Sequence, residues 1–109
     1  MKEALPRSTR RTMQFDNGTA IGTSDVWANG RYCKIVTAKG MVGCAIFDVG
    51  VAAEFGDAIA IAKGTPETPL VEPGDLLDAV IVGVSPAAAA LGVRAGMTGR
   101  EAVETFLAA

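Results

Sequence analysis

The sequence predicts one α+β domain, in which N-terminal antiparallel β-hairpins form a mixed sheet packed by three short helices. Its 109 residues, of which 50% are hydrophobic, are enough for a single core. Turn dipeptides separate β-prone segments in the first part of the chain, as in hairpins; they are Asn17-Gly18, Asn29-Gly30 and Lys39-Gly40. In the second part of the chain, helix-start signals alternate with short apolar runs. The helix-start signals are Asp48, Ser85-Pro86 and Thr98.

The N-terminal part of the chain is predicted to be an arm followed by two hairpins. Residues 1–10 are polar, contain Pro6 and are predicted to be a mobile arm, with the single domain spanning residues 11–109. Asn-Gly favours a turn with positive φ, and this places a hairpin around residues 16–18. A second hairpin is predicted from residues 31–38 and 41–47 around Lys39-Gly40.

A two-residue turn at Lys39-Gly40 fixes the register of the second hairpin. It pairs Ala38 with Met41, and therefore Ile35 with Cys44. Cys33 and Cys44 then lie diagonally on one face, with Cα atoms roughly 7–8 Å apart. This separation is too large for an unstrained disulfide, so both thiols are predicted to be free, as in a reducing compartment.

From Tyr32 to Phe47, the two strand faces of that hairpin are mostly apolar, with Lys34 as the only charge on them. An antiparallel sheet with one solvated face alternates apolar and polar residues instead. A short chain has few residues left to cover a second apolar face. The sequence therefore predicts a homo-oligomer, a trimer or tetramer, assembled through the N-terminal β region.

The remaining elements follow from local signals. Asp48 is placed to cap a helix at residues 49–55, and Gly56 to end it. Thr98 and Glu101 form a capping-box pattern at the start of the last helix. The other predicted elements are a strand at 58–62, a proline-rich loop at 63–74, a helical turn at 75–77, a strand at 78–84, and helices at 86–91 and 98–107.

Composition excludes several classes of function. The net charge of −2 gives no basic excess for nucleic acid or an anionic membrane. No apolar run approaches the ~18 residues of a spanning helix. The first residues carry charges without an apolar segment behind them, unlike a signal peptide. We expect a cytoplasmic protein without nucleic-acid or membrane partners.

The chain contains no histidine and two cysteines. This excludes histidine general bases, Ser-His and Cys-His nucleophiles, and histidine metal sites. Two cysteines alone do not complete a structural zinc site within one chain. The sequence therefore predicts no metal and no cofactor, and catalysis would depend on carboxylates, lysine, Tyr32, a thiol or backbone amides.

Four short runs carry a family resemblance; they are residues 40–48 (GMVGCAIFD), 53–58 (AEFGDA), 90–93 (ALGV) and 96–102 (GMTGREA). In order and spacing they resemble the YunC family, a bacterial and archaeal domain of unknown function, over about residues 12–107. The resemblance implies a small α+β domain whose N-terminal β region takes part in oligomer formation, and it implies no established activity. The chain departs from the family at Cys44-Ala45-Ile46, where Cys-Gly-Tyr is usual, and in its proline-rich loop.

Two residues are candidates for catalysis. Cys44 is a nucleophile if its environment lowers the thiol pKa, and a small buried hydrophobe otherwise. Asp57, between a helix end and a buried strand, can act as a general base or hold a ligand hydroxyl. Its structural alternative is a turn aspartate that accepts hydrogen bonds from backbone amides.

The start of the last helix is a candidate binding site for a small anionic metabolite. Thr98, Gly99, Arg100 and Glu101 combine helix N-terminal amides with a cation. The alternative is an ordinary capped helix with a surface arginine.

Two functions therefore follow from the sequence. The first is a homo-oligomeric module that binds a small metabolite or a protein partner, in pockets between subunits or at a helix start. The second is a small enzyme centred on Cys44 and Asp57.

Overall fold

The computed structural model of the protein describes residues 5–109. Its elements are β1 (Arg7–Phe15), β2 (Gly18–Trp27), β3 (Gly30–Val36), β4 (Met41–Cys44), α1 (Val49–Glu54), β5 (Ile59–Ala62), a 3-10 turn (Pro73–Leu76), β6 (Ile81–Val84), α2 (Pro86–Ala90) and α3 (Gly99–Ala108). The six strands form one sheet in chain order, parallel between β4 and β5 and antiparallel elsewhere. The predicted α+β fold, with a mixed sheet and three short helices, is confirmed.

The second and third hairpin turns lie one residue earlier than predicted, and the first turn ends one residue earlier, at Asn17. Phe15 pairs with Gly18, Trp27 with Gly30, and Thr37 N–H donates to the Gly40 carbonyl at 2.9 Å. Gly18 and Gly30 therefore begin the second strand of their hairpins, and Gly40 directly precedes β4. A Cβ at Gly30 would meet the Trp27 ring at 2.2 Å, and one at Gly40 the Phe106 ring at 2.5 Å. These two glycines are required by ring packing, which a turn signal does not reveal.

The register predicted between β3 and β4 is wrong by two residues. Ile35 pairs with Val42, and Val36 with Met41. The cause is Thr37, whose Oγ1 accepts from Lys39 N at 3.2 Å and Gly40 N at 3.0 Å. These bonds fix the turn at residues 38–39 and bring the two cysteines closer together than predicted.

The first strand begins at Arg7 and not at residue 11. Residues 7–10 of the predicted arm pair with residues 23–26 of β2. Cross-strand hydrogen bonds support this pairing: the Ser8 hydroxyl donates to Asp25, and the Thr9 and Ser24 hydroxyls lie 2.8 Å apart. Residues 1–4 of the predicted arm lie outside the described residues.

β4 ends at Cys44, three residues before the predicted end. Phe47 N–H donates to the Cys44 carbonyl at 3.2 Å and closes a turn. Ile46 is consequently 61% exposed and not in a strand. The turn folds the Phe47 ring over Gly43, where a Cβ would be 2.6 Å from the ring.

The core lies on one face of the sheet, here called the core face. It carries Cys33 and Ile35 of β3 and Val42 and Cys44 of β4, all buried. Phe106 of α3 and Leu76 of the 3-10 turn, both 0% exposed, pack against it. The opposite face, which carries Val36, Met41 and Gly43, lies under Phe47 and α1.

The predicted helix caps are confirmed at all three helices. Asp48, Ser85 and Thr98 each accept a hydrogen bond from an amide of the first turn. Gly56 has a φ of 71° and ends α1, as predicted. Among residues 5–109, no helix combines the length and the apolar character needed to span a bilayer.

Candidate functional site

A groove lies between α1 and the β3–β4 hairpin, on the face of the sheet opposite the core face. Its volume is about 580 Å³. Its floor is apolar and includes Met41, Phe47 and Ile59. Lys39, Asp48 and Asp57 also line it, and all three are exposed. The groove therefore combines an apolar floor with charged groups of both signs, as small-molecule sites do.

The charges of the groove are largely free of protein partners. Asp48 Oδ1 accepts from Gly50 N at 2.8 Å and Val51 N at 3.2 Å, so this carboxylate is partly used as a helix cap. Within residues 5–109, the Asp57 carboxylate accepts no hydrogen bond and the Lys39 ammonium forms no ion pair. An acceptor and a cation are thus available to a ligand.

The backbone around Asp57 is held rigidly. Asp57 N donates to Ala52 O at 2.9 Å, and its carbonyl accepts from Ser85 Oγ at 2.7 Å. Ser85 is fully buried, and its hydroxyl also accepts from Ile59 N at 3.0 Å. The carboxylate does not bond to turn amides, which was the structural alternative. Its position is pre-organised beside the groove, which lowers the entropy cost of binding.

The structure does not bring Cys44 and Asp57 together. Met41 pairs with Ile59, two residues after Asp57, whereas Cys44 pairs with Ala62. The two candidates therefore lie at opposite ends of β4, separated by three residues of strand or about 10 Å. Cys44 also points into the core face, away from the groove. A catalytic unit made of these two residues has no geometric basis.

The register of β3 and β4 instead places Cys44 opposite Cys33, whereas the sequence predicted that the two lie diagonally. Cys44 is 8% exposed and Cys33 is 1% exposed. The hydrogen bond from the Cys33 thiol lowers the pKa of Cys44 to about 6, although burial opposes this shift. The same hydrogen bond, followed by burial, raises the pKa of Cys33. Asp75 and Glu72 add a smaller effect in the same direction.

The start of α3 has no free amides for an anion. Thr98 N donates to Glu101 Oε1 at 3.0 Å and Glu101 N to Thr98 Oγ1 at 3.1 Å, which is the predicted capping box. Gly99 N donates to Ala79 O at 2.8 Å and Arg100 N to Leu77 O at 3.0 Å. The Arg100 guanidinium lies 5.8 Å from the centre of the Phe15 ring. This helix start is a packing contact within the protein.

The described part of the chain contains no evident metal site. Residues 5–109 contain no group of three or more cysteine, aspartate or glutamate side chains arranged around one point. Lys39 was not predicted as a groove residue, since nothing in the sequence distinguishes it from any other turn lysine. The pattern Thr37-x-x-Gly40 was a usable signal, because a threonine-capped turn gives the correct register and hence the cysteine contact.

Comparisons with known proteins give a family and a fold. The family described as "Domain of unknown function (DUF1805)" matches residues 43–106, which includes Cys44, Asp57 and the start of α3. A crystal structure of a protein of unknown function from Thermoplasma acidophilum is similar, with a TM-score of 0.82 and 17% sequence identity. The match covers 97% of this chain and 99% of that one, and at this identity it concerns the fold alone. No curated protein matches the chain.

Proposed function

The chain belongs to the DUF1805 family of domains of unknown function, and from that premise we propose that it is a homo-oligomeric module that binds a small metabolite. The observation that carries this proposal is the groove, whose apolar floor lies beside the free Asp57 carboxylate and the free Lys39 ammonium. Membership of the YunC group, supported by the motifs at residues 40–48 and 96–102, is part of the same proposal.

The chemistry of the groove supports one class of ligand. Its volume of about 580 Å³ suits a small molecule. Met41 and Phe47 offer contact to an apolar body, Asp57 accepts from an amine or hydroxyl, and Lys39 pairs with an anionic group. We propose that the anionic metabolite predicted from the sequence pairs with Lys39 and not with the start of α3. We expect a small amphoteric metabolite with an apolar portion.

Methyl NMR tests the groove directly. The chain has four methionines, and Met41 lines the groove, whereas Met13 and Met97 pack with the core cluster. The protein, labelled at its methionine methyl groups, is titrated with a panel of small amino acids and carboxylic acids. We expect a saturable shift of the Met41 signal, assigned with a Met41→Leu variant, while the Met13 and Met97 signals stay in place.

Matched variants separate binding in the groove from nonspecific effects. Asp57→Asn and Lys39→Gln each remove one charge of the groove, and we expect at least a tenfold weaker interaction from either. Asp78→Asn removes an exposed carboxylate outside the groove and is expected to bind like the wild type. The proposal fails if no compound of the panel moves the Met41 signal, or if Asp57→Asn and Asp78→Asn bind equally well.

An aromatic ladder supports the oligomeric part of the proposal. Trp27, Tyr32 and Phe47 stack edge to face, with ring centroids 5.5 Å and 5.7 Å apart. Phe47 also lines the groove, and Trp27 is 40% exposed. A second copy placed on the ladder would bury Trp27 and lie beside the groove. Light scattering is expected to give the mass of a trimer or tetramer, and a stable monomer at micromolar concentration would contradict this.

A further inference from the structure

The pairing of β3 with β4 places two cysteines side by side. Lys34 pairs with Gly43, and extension of this antiparallel register puts Cys33 opposite Cys44. Directly opposed residues have Cα atoms about 4.5 or 5.5 Å apart. Both values lie within the range of about 4.4–6.8 Å that a disulfide spans. Both thiols are free and buried.

We propose that Cys33 and Cys44 form a reversible dithiol–disulfide site whose oxidant is a small peroxide. This inference does not depend on the proposed binding function, since the cysteines face the core and the groove lies on the other face.

The two cysteines differ in their exposure to solvent, and this difference indicates which thiol reacts with peroxide first. Cys44 is 8% exposed and is the last residue of β4, followed by the exposed residues Ala45 and Ile46. Cys33 is 1% exposed, between Ser24 and Cys44 in the sheet. A peroxide reaches Cys44 first, and Cys33 is the resolving thiol. Bulky thiol reagents are excluded from both sulfurs in the native state.

The charged groups near the two cysteines favour the same roles, with Cys44 as the reactive thiolate and Cys33 as the resolving thiol. Asp75 of the 3-10 turn and Glu72, the residue before that turn, both act to keep Cys33 protonated. The lateral neighbours of the pair in the sheet, Ser24 and Ala62, are uncharged. Cys33 therefore remains the hydrogen-bond donor and Cys44 the thiolate, which is the form that reacts with peroxide.

The reaction balances in two steps. In the first, the Cys44 thiolate attacks one oxygen of hydrogen peroxide, the O–O bond breaks, and hydroxide leaves as Cys44 becomes a sulfenic acid. In the second, the Cys33 sulfur loses its proton and attacks the Cys44 sulfur, so that an S–S bond forms and the S–O bond breaks. The hydroxyl group leaves as water. The hydroxide takes up the proton that Cys44 lost on ionisation, so overall two thiols and one peroxide give one disulfide and two waters.

Peptide mapping of the native wild-type protein tests this site without any variant. Cleavage after lysine and arginine places Cys33 in the peptide 32–34 and Cys44 in the peptide 40–63. After treatment with hydrogen peroxide, we expect these two peptides to be joined, with the loss of two hydrogens, and dithiothreitol to separate them again. The protein is expected to keep its subunit number, because the bond is intramolecular.

Single variants test the order of the two steps. Cys33→Ser removes the resolving thiol, so Cys44 is expected to accumulate as a sulfenic acid that dimedone labels. Cys44→Ser is expected to leave Cys33 reduced under the same conditions. The inference is overturned if wild-type Cys44 is oxidised to sulfinic acid while Cys33 stays reduced. It is also overturned if the joined peptides come from two different chains, or if neither thiol reacts until the protein is unfolded.

Discussion

The ionisation of Cys44 should be visible in the stability of the protein, because the chain contains no histidine. The Cys33 hydrogen bond lowers the pKa of Cys44 to about 6 from the ordinary thiol value of 9.0. Between these values the unfolded state binds more protons than the native state. The free energy of unfolding is therefore expected to rise with pH from about 6 to 9, by at most about 1.4 kcal/mol per pH unit. Urea unfolding at several pH values measures this slope.

The two cysteines should have opposite effects at higher pH. The pKa of Cys33 is raised in the native state, by the Cys44 hydrogen bond, by burial and by Asp75 and Glu72. Above about pH 9 the unfolded chain loses this proton while the native state keeps it, so stability is expected to fall again. Cys44→Ala is expected to flatten the rise between pH 6 and 9. A wild-type stability that is constant over this range would contradict the assigned thiolate.

Gly99 is the glycine whose substitution we expect to destabilise the fold most. A Cβ at this position would lie 1.8 Å from the backbone oxygen of Leu76, which no side-chain rotation can relieve. We expect Gly99→Ala to lower the free energy of unfolding by about 3 kcal/mol, measured by urea denaturation. Gly50→Ala is the matched control, since its nearest contact is Asp48 Oδ1 at 3.1 Å and it lies within α1. That change is expected to be neutral or stabilising by less than about 1 kcal/mol.

At the scale of elements, Glu104 joins the first hairpin to α3. Its carboxylate accepts from Asp16 N at 3.2 Å and from Asn17 N at 3.0 Å. Glu104→Ala is expected to cost about 1–2 kcal/mol, since bonds to a charged acceptor are strong but these are exposed. Amide hydrogen exchange at Asp16 and Asn17 should become faster. Glu54→Ala on α1 is the control, and equal effects of both changes would contradict the role of Glu104.

Helix boundaries were predictable because their signals are local, whereas hairpin register was not. Asp48 and Thr98 cap helices through amides two or three residues away, so the sequence contains the whole interaction. The position of the second hairpin turn depends on Thr37 and on Phe106, which packs against Gly40 from the other end of the chain. In the sequence, a glycine that is required to make room for an aromatic ring cannot be distinguished from one that is required by the geometry of a turn.

The candidate site was predictable to a smaller extent, for a related reason. Asp57 was identified from its place between a helix end and a strand, and it does line the groove. Its separation from Cys44 follows from the parallel pairing of β4 with β5, which no local pattern encodes. The contact of Cys44 with Cys33 was missed because a two-residue error in register changes which residues face each other while leaving each on its predicted face.

At the scale of the whole molecule, the elongated shape leads to a specific test of the predicted oligomer. The chain measures 51 × 28 × 27 Å, and its hairpins carry Trp27, the single tryptophan. If Trp27 is buried between subunits, its fluorescence emission should shift to longer wavelength on dilution, in parallel with a fall in sedimentation coefficient.

Trp27→Lys is expected to give a folded monomer, because a charge within an apolar interface without a partner is strongly unfavourable. Val82→Lys, at a 53% exposed position on β6, is the matched control and should leave the assembly intact. A Trp27→Lys protein that sediments like the wild type would place the interface elsewhere, and dissociation caused by Val82→Lys alone would place it at the opposite edge of the sheet.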